Sequence, residues 1–159
     1  MKPCLFCSII EGKEAAVKVY EDEHCLAFMD IFPISEGHVL LIPKAHSEKL
    51  EEQDKSVQMH LYLVSNEIIS AQRKAGLGVN GTHYLINDGK DTNQHIQHVH
   101  IHLIPRKQKD NLHFVYKLFM HFSGLFGFRT KQVALEKIAE RIRANMANVI
   151  IDSPLQQAS

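Results

Sequence analysis

Eleven histidines in 159 residues are the one compositional oddity of this chain. Three of them, His98, His100 and His102, alternate with Val99, Ile101 and Leu103. A strand's two-residue period projects the three imidazoles from one face, about 7 Å between successive rings. Such a row has three readings. A solvent-facing polar strand would be better served by Lys, Thr or Glu. Histidines at i and i+2 can share a cation. A neutral imidazole, with an ordinary pKa of about 6.5, can attack an electrophile while its neighbours set tautomer and charge. Spacing alone leaves the last two level. Cys4-x-x-Cys7 is the second cluster with chemistry, and it has the spacing of half a zinc site. Three cysteines make a poor disulfide count, and in a reducing compartment the pair suggests metal or redox use. Two buried apolar cysteines are the plainer reading. Thioredoxin-like chemistry lacks the surrounding βαβ pattern.

These residues need strands and turns to hold them. Residues 17–20 and 25–30 are short apolar segments, and 38–43 has the apolar density of a buried strand ended by a Pro. Over 54–74 the period becomes helical, with Val57, Leu61, Val64, Ile68 and Ala71 on one face and Asp54 or Ser56 able to cap the start. Gly76, Gly78 and Gly81 break it. A strand at 83–87, a polar turn at 88–93 and the histidine segment 96–104 form a hairpin, which argues against a parallel crossover. After Thr130 a last helix places Leu135, Ile138, Ile142 and Met146 together. The expected fold is α+β, a mainly antiparallel sheet of about five strands with two main helices.

One domain accounts for the length, and a chain of this size buries roughly two thirds of its unfolded surface. Residues 1–106 form the expected core and 107–149 a C-terminal extension whose helix packs on the same domain. The polar tail 150–159 is expected to be loose. Formal charge is zero, which gives no reason to expect nucleic acid or an anionic membrane as a partner. No stretch approaches the roughly 20 apolar residues of a membrane span, and the N-terminus lacks a secretory core, so the cytoplasm is the expected location. Phe114, Tyr116, Phe119, Phe122, Phe126 and Phe128 concentrate half of the twelve aromatics in one stretch. Packing on the chain's own domain, a subunit contact and a flap over the substrate all fit.

Context separates the readings of the histidine row. The string Asn87-Asp-Gly-Lys-Asp-Thr-Asn-Gln94-His-Ile-Gln-His98-Val-His100-Ile-His102 resembles the signature of the histidine triad (HIT) superfamily. Cys4-Leu-Phe-Cys7, Val19-Tyr-Glu-Asp-Glu23, Ala27-Phe-Met-Asp30 and Gly37-His-Val-Leu-Leu-Ile-Pro-Lys-Ala-His46 resemble its bacterial branch, in order and at similar separations. The resemblance covers roughly residues 4–106.

It implies a HIT-like fold in which His100 attacks the α-phosphorus of a nucleotide. His102, as imidazolium, would stabilise charge or donate a proton, and His98 completes the triad. Asn87 would hydrogen-bond near the phosphate. Backbone N–H groups of Asn93, Gln94, His95 and Ile96 would cradle its oxygens. Asp30 would bind both ribose hydroxyls, with Phe28 and Ile31 lining the base pocket; a turn-initiating Asp before Pro33 is the plainer alternative. The resemblance also implies a structural zinc on Cys4, Cys7, His46 and His98, and no organic cofactor. It implies a homodimer through a helix, here 54–74, and an edge strand. Two positions depart from the family pattern: Asn93 replaces a Gly, and His95 adds a fourth imidazole beside the phosphate. The implied activity is a hydrolase or transferase on nucleoside phosphoramidates, dinucleoside polyphosphates or related adenylated compounds, releasing a nucleoside monophosphate, AMP above all. The alternatives are a nucleotide-binding regulatory protein with negligible turnover and a metalloenzyme using the histidine row as ligands.

Overall fold

The computed structural model describes residues 4–125 and 129–146. A short helix α1 (Leu5–Ile10) leads into strands β1 (Lys18–Glu21), β2 (Cys25–Met29) and β3 (Val39–Pro43). The long helix α2 (Lys55–Lys74) follows, then β4 (Thr82–Ile86), β5 (Ile101–Pro105), α3 (Asn111–Phe122) and α4 (Gln132–Ala144). The five strands form one sheet in the order β1-β2-β3-β5-β4, antiparallel throughout. This is the expected HIT-like α+β fold. The long connection that brings β5 beside β3 carries α2 across one face.

The central strands read as unbroken apolar runs because both of their faces are covered. On one face Ala27, Leu41, Ile101 and Leu103 pack under Leu61, Val64 and Ile68 of α2 and Leu135, Ala139 and Ile142 of α4. This is the principal core. On the other face Leu26, Phe28, Leu40 and Ile42 meet Phe6 and Ile9 of α1. The ladders place Phe28 opposite Leu40, Leu40 opposite His102 and His102 opposite Leu85. Because side chains alternate between faces, this row sets His102 in line with the apolar residues of β2 and β3.

Two elements escape the periodicity reading. The apolar patch at the N-terminus is the six-residue α1. The aromatic stretch contains α3, whose Phe114 and His121 are buried while Leu112, Val115, Tyr116 and Phe119 face outward. Phe114 packs with Ile34 and Ile104, so part of this stretch covers its own domain. Phe126, Phe128 and the tail 150–159 lie outside the described residues. Among the described residues no helix is long and apolar enough to cross a membrane.

Candidate active site

The three histidines do not form an even row. Regular β5 begins only at Ile101, so His98 and His100 lie in the approach to it and His102 alone stands in the strand. The loop bends there because the His98 ring is drawn to the N-terminal cysteines, where it meets both thiols and His46. The rings of His100 and His102 consequently sit 4.9 Å apart, closer than an extended strand would hold them.

Hydrogen bonds assign a tautomer to each imidazole. His98 donates from Nε2 to the carbonyl of Pro43 at 2.9 Å, which leaves a lone pair on Nδ1. His100 donates from Nδ1 to the carbonyl of His98 at 2.7 Å, which leaves the lone pair on Nε2. His38 accepts at Nδ1 from the N–H of Ile34 (3.3 Å) and donates from Nε2 to His102 Nδ1 (3.0 Å). Neutral His102 therefore carries its proton on Nε2. That nitrogen is buried without a partner among the described residues.

Burial is the first cause of low proton affinity at all four rings. It brings His38 and His98 down to about 4, lowers His100, and with the adjacent His38 and His100 holds His102 well below the ordinary imidazole range. All four are neutral near pH 7. The imidazolium expected at His102 is thus absent from the resting site, and its contribution there is an N–H. His100, in turn, presents a free lone pair.

Both rings open on a cavity of about 420 Å³. It is also lined by Phe28, Asp30, Ile31, Asn87, Asn93, His95 and Ile96, which the resemblance gives as nucleotide-binding positions. Asp30 accepts from the N–H of Phe32 with Oδ1 (2.8 Å), which leaves Oδ2 turned to His38 and His121. Asn93 adopts the left-handed conformation at φ 60°, a region Asn enters more readily than most residues, so the loop keeps its shape without the family's Gly. Two expected residues are not in the lining. The Gln94 amide clasps the loop instead, accepting from Gly89 and donating to the carbonyl of Glu48, so any ligand contact falls to its backbone. His98 faces the cysteines.

Sequence reading missed several lining residues. Leu5, Phe6 and Ile9 bring α1 into the wall, and Phe6 meets Phe28, His98 and His100 edge-on. His121 and Phe122 of α3 form the opposite wall with Arg129. His95 donates from Nε2 to the carbonyl of Phe122 (3.1 Å), joining the loop to the end of α3. The spacing of Phe114, Leu118, His121 and Phe122 is a helical stripe that could have revealed this wall.

Cys4, Cys7, His46 and His98 bring four ligand atoms within 4.8 Å of one another. The donor set fits a tetrahedral Cys₂His₂ zinc centre: both cysteines are free, and His98 turns an unprotonated Nδ1 inward. Burial, then the neighbouring Cys4, push the Cys7 thiol up to about 11, the opposite of what a bound cation would do.

Residues 11–109 match the HIT domain, and the chain belongs to the HIT family. It is 42% identical over 113 residues to the adenylylsulfatase HINT3 of Arabidopsis thaliana, covering 69% of this chain and 55% of that protein. The chain thus spans about half the length of this plant relative. Protein hit of Bacillus subtilis is 40% identical over 106 residues, 67% of this chain and 72% of that one. Among solved structures, a HIT-like protein of Bartonella henselae involved in cell-cycle regulation superposes with a TM-score of 0.75 at 28% identity, covering 91% of this chain and 98% of that one. A zinc-bound histidine triad protein of Mycobacterium smegmatis gives 0.72 at 30% identity, covering 98% and 97%.

Proposed function

We propose that this protein is a nucleotide hydrolase or transferase that breaks the linkage at the α-phosphorus through a nucleotidyl-His100 intermediate. The observation that carries this reading is the pair of fixed tautomers facing one cavity: a lone pair on His100 Nε2 and a buried, unpartnered N–H on His102. The His100 lone pair forms a bond to phosphorus, and the leaving group departs with the electrons of the old one. The resulting nucleotidyl-imidazolium keeps its Nδ1–H on the His98 carbonyl, which disperses the positive charge. The His102 N–H meets the charge gathering on the phosphate oxygens or leaving atom. Attack by water, or by a second acceptor, then restores neutral His100 and releases the nucleoside monophosphate. Asp30 binds the ribose, Phe28, Ile31, Phe6 and Ile9 enclose the base, and Asn87 with the 93–96 backbone holds the phosphate.

Zinc on Cys4, Cys7, His46 and His98 would be structural, a closed site with no open position for substrate. A homodimer through α2 and β4 fits the exposure of Met59 and Tyr62 on that helix and Tyr84 on that edge strand. The kinship to an adenylylsulfatase favours adenylated compounds with good leaving groups. Steady-state assays with adenosine phosphosulfate, an adenosine phosphoramidate and diadenosine tetraphosphate test the reading. AMP release from at least one, lost in His100→Ala, supports it. Tight AMP binding with no turnover of any would point instead to a regulatory nucleotide binder.

A further inference from the structure

Arg129 lies beyond the residues that match the HIT domain, yet it lines the cavity. The backbone beside it is fixed: Thr130 donates its N–H to the carbonyl of Ile31 at 2.8 Å, and the next carbonyl, that of Phe32, accepts from His121 Nδ1 at 3.1 Å. Arg129 therefore belongs to the α3 end of the cavity. His102 is at that end too, its ring centroid 5.6 Å from those of His121 and Phe122. The other end is walled by α1, and Glu14 stands there, its N–H donated to the carbonyl of Ser8. Arg106, Arg141 and Arg143 are held in ion pairs, whereas Arg129 is exposed and makes none among the described residues.

A nucleotide brings negative charge into a lining whose Asp30 and Glu14 are acidic and whose reactive rings, His100 and His102, are neutral near pH 7. Among the described residues, Arg129 is the one Lys or Arg side chain in that lining. Its planar guanidinium can meet two oxygens of a phosphate or sulfate at once, and it stays charged at any working pH. In the nucleotide reading the base is enclosed at the apolar α1 end, so the group attached to the α-phosphorus points to the α3 end and its exposed rim. A sulfate there leaves with the electron pair of its P–O bond and takes up no proton near pH 7, so its stabilisation falls to a fixed cation. An amine offers the guanidinium no anion to hold.

We infer that Arg129 binds the anionic group carried on the α-phosphorus and directs the site toward adenylated compounds whose leaving group is a sulfate or phosphate rather than an amine. The inference rests on the nucleotide reading of the site given above. The test is calorimetric binding of AMP and α,β-methylene-ADP to the wild type, Arg129→Gln and Arg129→Lys. The methylene analogue carries a second phosphate on a bridge that resists cleavage. Arg129→Gln should bind it roughly 10-fold more weakly, the value of one charge-assisted hydrogen bond, and bind AMP within about twofold of the wild type. Arg129→Lys, which keeps the charge and loses the fork, should recover part of the loss. An equal loss for both ligands would mean that Arg129 meets the α-phosphate or only supports the wall, and would overturn the inference. So would no loss at all, or a wild type that binds AMP and rejects the analogue. All three leave AMP binding by the wild type intact. A wild type that binds neither ligand would overturn the nucleotide reading and this inference together.

Discussion

His38 Nε2 lies 3.0 Å from His102 Nδ1, both residues buried. His38 is committed as donor because its other nitrogen accepts from Ile34, so a backbone N–H decides which nitrogen of His102 bears a proton. His38→Phe keeps a ring of similar size and removes that control. Steady-state kinetics should show kcat lower by on the order of 10- to 100-fold, the size of one misplaced general acid or donor, with KM changed much less. Equal effects on both parameters would mean that His38 serves packing alone.

Burial also makes His38 a source of acid lability. Its proton affinity in the fold, near 4, is below the unfolded value of 6.5. The unfolded chain therefore binds more protons between those values. Stability is complete above pH 6.5 and falls as pH drops toward 4, by on the order of 3 kcal/mol from this ring. Urea unfolding of wild type and His38→Gln across this range should show a shallower acid loss in the variant. Parallel pH profiles would refute this source of the lability.

Zinc on the four clustered ligands would anchor His98, whose carbonyl orients His100, and α1, whose Phe6 faces the cavity. Chelation should lower the unfolding temperature and loosen nucleotide binding, and Cys7→Ser should purify with less metal. Affinity for zinc should weaken at acid pH, where thiols keep their protons. Immediate and complete loss of turnover on chelation, with the fold intact by circular dichroism, would instead mean that the metal takes part in the reaction.

Phe6 is nearly buried between Phe28 and the rings of His98 and His100. Phe6→Ala should cost about 3 kcal/mol of stability, the low end for a core aromatic because one side faces the cavity. It should also raise KM for adenosine compounds. A KM within twofold of wild type would remove Phe6 from the base pocket.

Much of this was legible before the structure. Strands β2, β3 and β4 and helix α2 carry their own apolar periods, and Cys4, Cys7, His46 and His98 converge as the resemblance implies. What escaped depends on contacts between distant segments. Residues 98–100 alternate like a strand, yet His98 turns to a zinc-type cluster 94 residues away at Cys4. Helix α1 is too short for a period to show. The stripe on α3 was masked by apolar residues on its other face, Leu112, Val115, Tyr116 and Phe119. His38 read only as the start of a strand, since its role appears only once β3 pairs with β5.

The most direct test of the central claim is mass spectrometry of the protein after brief reaction with an adenosine phosphoramidate or phosphosulfate and acid-free quenching. A transient adduct of one adenylyl group, mapped to His100 and absent from His100→Ala, is the predicted result. AMP release at full rate by His100→Ala, or an adduct mapped to another residue, would contradict it.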